Sequence, residues 1–330
     1  MLVRAVWLLT RLPIEFALLL VSHLAFIVMT CLFSRYTSER SATFSSEDNS
    51  IQVECYSLAA LVCFPTSLFW LMGYSESLFG LLVALSLLSH QRKWPLLISA
   101  LIVGLATAGR PVGVALIPPL MYRCWCELDS ELPTRQKFAK FAIMTSWIVP
   151  IASSGLFAYM VYLNSAFDAP FAFAQTQQHW RMRPPITQLE HVLVLLSFEP
   201  IWINYIPDSG AYWKWIDHQC PSVFLSLQAG NPVLFLIAVA ATIYGWRRKW
   251  LTAVELQMCA GLLLIPYVTR SYEMCMASHG RFVLVALPVF VVIGQVLARV
   301  PVWVRCIYFV VSVSFLCAYT YSWTAGYLVI

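Results

Sequence analysis

The chain has 330 residues, of which 60% are hydrophobic and only 11% charged, and its net charge is +5. A mean hydropathy of +0.73 excludes an ordinary soluble domain, and the length of the apolar runs excludes a β-barrel. About 20 apolar residues cross a bilayer as a helix, and roughly ten runs approach that length, so an all-α polytopic transmembrane protein of about ten spans is predicted, as a single domain over residues 1–330.

Arg4 and Arg11 precede an apolar run from Pro13 to Phe33. The run is long for the core of a signal peptide and no small-residue cleavage pattern follows it, so it is expected to be a retained span. Residues 34–54 are Ser-rich and of mixed charge without apolar periodicity, which predicts a flexible connector. Most of the ten cysteines, among them Cys31, Cys63, Cys259 and Cys317, stand singly in apolar runs, where a thiol behaves as a small hydrophobe. No disulfide framework is expected. Cys124-Trp125-Cys126 has no second cluster of ligands with it, so no metal or cofactor is expected either, and nothing points to a nucleic-acid partner.

The most informative stretch runs from Phe64 to Phe79, where a polar knot, Tyr74-Ser75-Glu76-Ser77, interrupts two apolar runs. A carboxylate is costly in hydrocarbon, so Glu76 belongs at the lipid-water boundary or in a polar cavity. Charge and position alone favour the plainer alternative, a solvated interfacial turn. Spans are predicted at about 55–73, 76–90, 94–108, 111–122 and 141–163. Between two of them, Gly109 runs into Arg110-Pro111, so a helix should end there with the guanidinium at a membrane face. Such an arginine is either a snorkelling anchor or an anion site, and the anchor is the default.

Residues 164–220 lack a convincing span and carry Asp168, Gln177, His179, Trp180, Arg181, Arg183, Lys214 and Asp217. A loop this long and this aromatic is expected to be functional rather than disordered. Within it, His191 to Pro207 is apolar enough for a short span yet interrupted by Glu199, Pro200 and Asn204, which leaves an interfacial or re-entrant segment open. Further spans fall near 226–246, 251–269, 281–298 and 303–325. If residues 191–207 do not cross, thirteen of the twenty-one Lys and Arg residues gather on one side and eight on the other. The richer side is then cytoplasmic. Crossing would abolish the bias, so no crossing is expected. The other face would collect Glu76, Arg110, the 164–220 region and the Arg270–Arg281 turn. Its tryptophans and amides suit a sugar, and its arginines suit a lipid-linked phosphate.

These motifs together resemble a known family. Phe64-Pro65-Thr66 with Tyr74-Ser75-Glu76-Ser77-Leu78-Phe79, then Arg110-Pro111-x-Gly113, Phe173-x-x-x-Gln177-x-x-Trp180, Gly280-Arg281-Phe282 with Leu287-Pro288, and the closing Gly326-Tyr327 are similar to membrane mannosyltransferases related to GPI mannosyltransferase II, the PIG-V group of the GT-C glycosyltransferase superfamily. The resemblance implies a transferase that moves a hexose, mannose first among candidates, from a polyprenyl or dolichyl phosphate sugar to a lipid or glycan acceptor on the non-cytoplasmic face. It further implies substrate contacts from Tyr74, Glu76, Arg110, Gln177, Trp180 and Arg281, with the two arginines neutralising the departing phosphate. The host membrane is expected to be a bacterial plasma membrane rather than endoplasmic reticulum. The family's catalytic carboxylate lies in a Trp-Asp motif ahead of a Phe-Pro-x-x-Pro stretch, and this sequence contains neither. Residues 1–4 match the positions just after that stretch, which implies either a misplaced start or a truncated relative. Glu76 and Asp168 are then the carboxylates to test as the base. Two further functions stay open: a non-catalytic subunit that binds the lipid-linked sugar, and a polyprenyl-lipid transporter, against which the absence of an internal repeat counts.

Overall fold

The computed structural model describes residues 2–42, 47–128, 130, 133–206 and 227–325, and among them every regular element is helical. Lys214 and Asp217, and the Gly326-Tyr327 pair, lie outside the described residues.

The first apolar run becomes α2 (Ile14–Ser41), preceded by α1 (Leu2–Thr10). Residues 34–41, expected to open a flexible connector, therefore belong to a helix, and α3 (Glu47–Val62) makes residues 47–54 helical as well. Tertiary pairing explains the difference. Tyr36 and Arg40 both donate to Glu255, Arg40 Nε at 2.9 Å, and Arg92 donates to Glu39, so these polar side chains find protein partners instead of solvent.

α4 (Leu68–Leu71), α5 (Glu76–Gln91) and α6 (Leu96–Gly109) follow. The expected span at 111–122 is a 3-10 turn (Pro111–Leu116) leading into α7 (Ile117–Glu127), and the long α8 (Thr134–Phe167) extends beyond the expected 141–163 at both ends. After α9 (Ala172–Gln175), α10 (Gln188–Leu196) and α11 (Glu199–Trp202), the chain continues through α12 (Leu227–Arg247), α13 (Ala253–Arg270), α14 (His279–Leu284), α15 (Leu287–Leu297) and α16 (Val302–Thr324).

Among the described residues, four helical stretches are long and apolar enough to cross a membrane: Ile14–Ser41, Thr134–Phe167, Ala229–Arg247 and Val302–Thr324. Their outer faces carry Ile143, Val161 and Val310, each about two-thirds exposed. Apolar surface in water costs roughly 25 cal/mol per Å², so these faces suit hydrocarbon. The shorter helices lie inside. α15 packs on α3, α2 on α5, and α6 on α8, around one apolar cluster that draws residues from Met29 to Tyr319. The α6–α8 seam is backbone against backbone. A Cβ at Gly104 would stand 2.6 Å from the Ile151 carbonyl oxygen, and Thr107 Oγ1 donates across the seam to Ala152 O at 3.2 Å.

α10 has nine residues, about 14 Å at 1.5 Å per residue, against a hydrocarbon core of about 30 Å. Phe198, in the left-handed region with φ 54°, then breaks the helix. Residues 188–205 therefore do not form one continuous helix of membrane length.

Contacts among the charged residues sort into two poles. At the start of α13, Arg40 meets Glu255 and the Trp250 carbonyl, and Arg299 lies 4.5 Å over the Trp250 ring. At its far end, the Arg270–Arg281 turn gathers Glu76, Arg110, Arg181 and Arg183. The eighteen residues of α13 hold the poles about 27 Å apart.

Candidate functional site

Four separate stretches of sequence build the second pole. α3 stops at Val62, and Phe64-Pro65-Thr66 turns the chain into α4. Ser77 donates its hydroxyl to Trp70 O, which clamps the first turn of α5 against α4 and places Glu76 at the first position of that helix. There the partial positive charge of a helix N-terminus favours a carboxylate. Arg110 is extended (φ −150°, ψ 136°) between α6 and the 3-10 turn, the conformation that a following proline selects. Arg281 arrives on α14, whose position is fixed by its neighbour Gly280. The Gly280 amide donates to Asn231 Oδ1 and its carbonyl accepts from Thr66 Oγ1, both at 2.9 Å. A Cβ at Gly280 would stand 2.7 Å from Asn231 Oδ1, so the close approach requires glycine.

The approach to α14 is strained. Cys275, Met276 and Ser278 all have left-handed backbones, with φ of 49°, 61° and 67°. Non-glycine residues in that region cost of order 1–3 kcal/mol each and persist where packing over-determines them. Here the amides of Met276 and Ala277 donate to Ser271 O (3.0 Å) and Met274 O (2.8 Å), and residues 274–280 are buried.

Glu76 is 1% exposed. The solvated turn favoured from sequence is therefore wrong, because Arg110 reaches over from α6 and excludes water from the carboxylate. Arg110 Nη1 donates to Glu76 Oε1 at 2.7 Å, and Arg281 Nε stands 3.3 Å from the same oxygen, in ion-pair range but off the hydrogen-bond line. Nor is Arg110 a snorkelling anchor. Its side chain is 13% exposed and lies over the rings of Phe282 at 5.3 Å and Phe79 at 5.9 Å. Arg281 stacks on Tyr74 at 5.3 Å, Phe282 at 5.6 Å and Phe69 at 5.7 Å. Trp323 of α16 closes the ring of aromatics against Phe69 and Tyr74.

A third arginine, Arg270, lies within electrostatic range of both others. Two guanidiniums thus face the Glu76 carboxylate, with Arg270 close to both and within range of Glu273, and the second Glu76 oxygen, Oε2, is buried and without a hydrogen-bond partner. The nearby Glu273 is paired with Arg181 at 2.7 Å. The cluster carries surplus positive charge beside aromatic rings, which suits a phosphate or another oxyanion with an apolar neighbour.

The structure thus joins Tyr74, Glu76, Arg110 and Arg281. It does not join Asp168, Gln177 or Trp180 to them by any hydrogen bond, ion pair or ring contact. Asp168 is exposed at the C-terminus of α8 in the left-handed conformation that ends that helix. Gln177 donates only to Phe173 O, at 3.2 Å, and Trp180 is exposed. Sequence reasoning grouped Arg270 with Arg110 and Arg281, beside which the structure places it, but passed over it as a site residue. Its position at a helix end beside a second arginine-bearing turn was the available signal. Phe69, Phe79, Phe282 and Trp323 were also missed, since an aromatic in an apolar run reads as core.

The segment following α9 is strapped to the same turn. Arg183 pairs with Glu199 through two bonds of 2.6 and 2.7 Å and lies 4.2 Å over the Tyr272 ring. Burial alone would lower the Arg183 pKa, but the hydrogen bonds and charge of Glu199 outweigh it and hold it above its ordinary value. Tyr272 and Tyr267 donate their hydroxyls to Pro184 O at 3.1 Å and Leu195 O at 3.0 Å. Among the described residues no group of three His, Cys, Asp or Glu side chains could hold a metal. No protein-family model, no curated protein and no solved structure matches the chain.

Proposed function

We propose that this chain belongs to a membrane glycosyltransferase of GT-C type, with about ten membrane segments, whose arginine cluster binds the phosphate of a polyprenyl phosphate hexose. One observation carries the reading. Arg110 and Arg281, distant in sequence, converge on Glu76 with Arg270 beside them, so that excess positive charge gathers, largely buried, next to aromatic rings. Bond cleavage at the sugar leaves negative charge on the carrier phosphate, and fixed guanidiniums in a poorly hydrated site stabilise that charge more strongly than water does. Glu76 serves as a positioning residue that holds two guanidiniums in place. Tyr74 and the neighbouring rings offer faces on which a hexose stacks.

A second reading follows from the carboxylates. Inverting transfer needs a base for the acceptor hydroxyl; Glu76 is engaged by arginines, and Asp168 is not joined to the cluster. A subunit that binds the lipid-linked sugar without completing transfer fits this arrangement equally.

The test is binding of polyprenyl phosphate mannose to the purified full chain and to Arg110→Ala. A hydrogen bond from a charged donor contributes about 1.5–3 kcal/mol, so affinity should fall roughly 10- to 100-fold. Equal affinity in a folded variant would remove the phosphate-site reading. Transfer of mannose to added acceptor membranes separates enzyme from binding subunit.

A further inference from the structure

α10 carries an apolar face that no described residue covers. Leu189, Val192, Leu193 and Leu196 are between half and three-quarters exposed, and they fall at the i, i+3, i+4, i+7 positions of one helical stripe. The opposite side, His191, Val194 and Leu195, is half-buried toward the Arg270–Arg281 turn, where Tyr272 meets the His191 ring and Tyr267 bonds Leu195 O. Beyond the break at Phe198, Phe198 itself and Trp202 extend the exposed face. Four leucine-class side chains in water would cost several kcal/mol at roughly 25 cal/mol per Å².

Lipid is the occupant that the surroundings favour. The helix is too short to cross a bilayer, its N-terminus is closed by a polar capping box between Thr187 and Glu190, and an indole flanks its far end. That combination of an apolar stripe, a polar start and a bordering tryptophan belongs to a helix lying along a membrane surface. The chain also carries apolar outer faces on α8 and α16 that require the same solvent.

We propose that α10 and α11 lie in the membrane interface as a shallow strap, their exposed stripe in lipid, and that the strap fixes the height of the arginine cluster at the level of lipid headgroups. The mechanical link is on the same residues. Arg181 to Glu273, Arg183 to Glu199 and Tyr272, and Met182 N to Glu273 O at 2.8 Å tie the strap rigidly to the turn bearing Arg270 and Arg281. Embedding the stripe therefore places those guanidiniums where a lipid-borne phosphate resides. The strap's contact with lipid rests on the membrane placement of the chain and not on transferase chemistry.

The experiment uses the full chain in phosphatidylcholine–phosphatidylglycerol vesicles, with a photoreactive diazirine side chain installed singly at Leu189, Leu193 or Leu196. Val310, on the outer face of α16, serves as the lipid-facing reference. Mass spectrometry should find phospholipid adducts at the three α10 positions with yields within about twofold of the reference. Adducts to a second copy of the chain or to another polypeptide would overturn the proposal, as would reaction with water alone while Val310 still captures lipid. A second variant, Leu193→Glu with Leu196→Glu, should lift the strap and reduce polyprenyl phosphate mannose binding several-fold. Unchanged phospholipid capture at Leu189 in that variant would also count against it. Lipid adducts without any polyprenyl phosphate binding would leave the strap standing and remove only the transferase reading.

Discussion

Glu76 decides how the arginine cluster works. Paired with Arg110 and Arg281, and with Arg270 close to both, the carboxylate offsets repulsion that would otherwise splay the two guanidiniums. Glu76→Gln keeps the shape and removes the charge. Removing one partner of a buried ion pair costs about 3–5 kcal/mol, so the variant should unfold at lower denaturant in mixed micelles. Inorganic phosphate at about 10 mM should restore part of that loss, because a bound anion stabilises the folded state by mass action. The wild-type chain should gain less. Equal phosphate effects on the two proteins would show that the cluster holds no anion. The sequence made half of this visible. The polar knot at Tyr74-Ser75-Glu76-Ser77 and the helix stop at Arg110-Pro111 mark both residues as exceptional, but their partnership does not follow from either stretch. Read separately, each looks like an ordinary interfacial residue, and only the packing of α5 against α6 brings the two charges to 2.7 Å.

At the scale of single elements, α10 is held open to measurement by its own cap. Thr187 donates its amide and hydroxyl to Glu190 Oε2 at 2.9 and 2.8 Å, and Glu190 N donates back to Thr187 Oγ1 at 3.3 Å. The backbone bond first, and then the hydroxyl, pull the Glu190 pKa below its ordinary value of 4.5. A carboxylate depressed in the folded state adds stability above its unfolded pKa and loses it as pH falls through the folded one. Amide protection across residues 188–196, corrected for intrinsic exchange, should therefore decline as pH drops from about 5 to about 3. In Glu190→Gln the protection should start lower at neutral pH and change little over that window. An identical pH response in the variant would show that the capping carboxylate is not its source. Element boundaries were legible where local chemistry dominates, as at Gly109, and at Glu76, where a carboxylate opens α5. They were illegible at residues 34–41, where a polar segment stays helical because Tyr36, Glu39 and Arg40 meet partners from α5 and α13.

For the molecule as a whole, the division of basic residues into sets of thirteen and eight is echoed by contacts that the charge count never used. Arg40, Arg92 and Arg299 belong to the larger set, and Arg40 and Arg299 meet at the Trp250–Glu255 connection while Arg92 binds Glu39, one residue from Arg40. Arg110, Arg181, Arg183, Arg270 and Arg281 belong to the smaller set and meet at the Arg270–Arg281 turn. What the sequence lacked was the distance between the poles, and α13 supplies it: about 27 Å, close to the thickness of a hydrocarbon core. Two polar poles at that separation, with apolar outer faces on α8 and α16 between them, match a slab of lipid. The expected consequence is opposite sidedness. In a background without other reactive thiols, Pro185→Cys beside the second pole and Lys249→Cys beside the first should react with an impermeant maleimide from opposite sides of sealed membranes. The positive-inside rule places Lys249 in the cytoplasm. Labelling of both from one side would break the link between the poles and the bilayer, and with it the placement of the arginine cluster at a membrane surface. Labelling of Lys249 from outside alone would keep the slab and invert its orientation, which would turn the arginine cluster toward the cytoplasm.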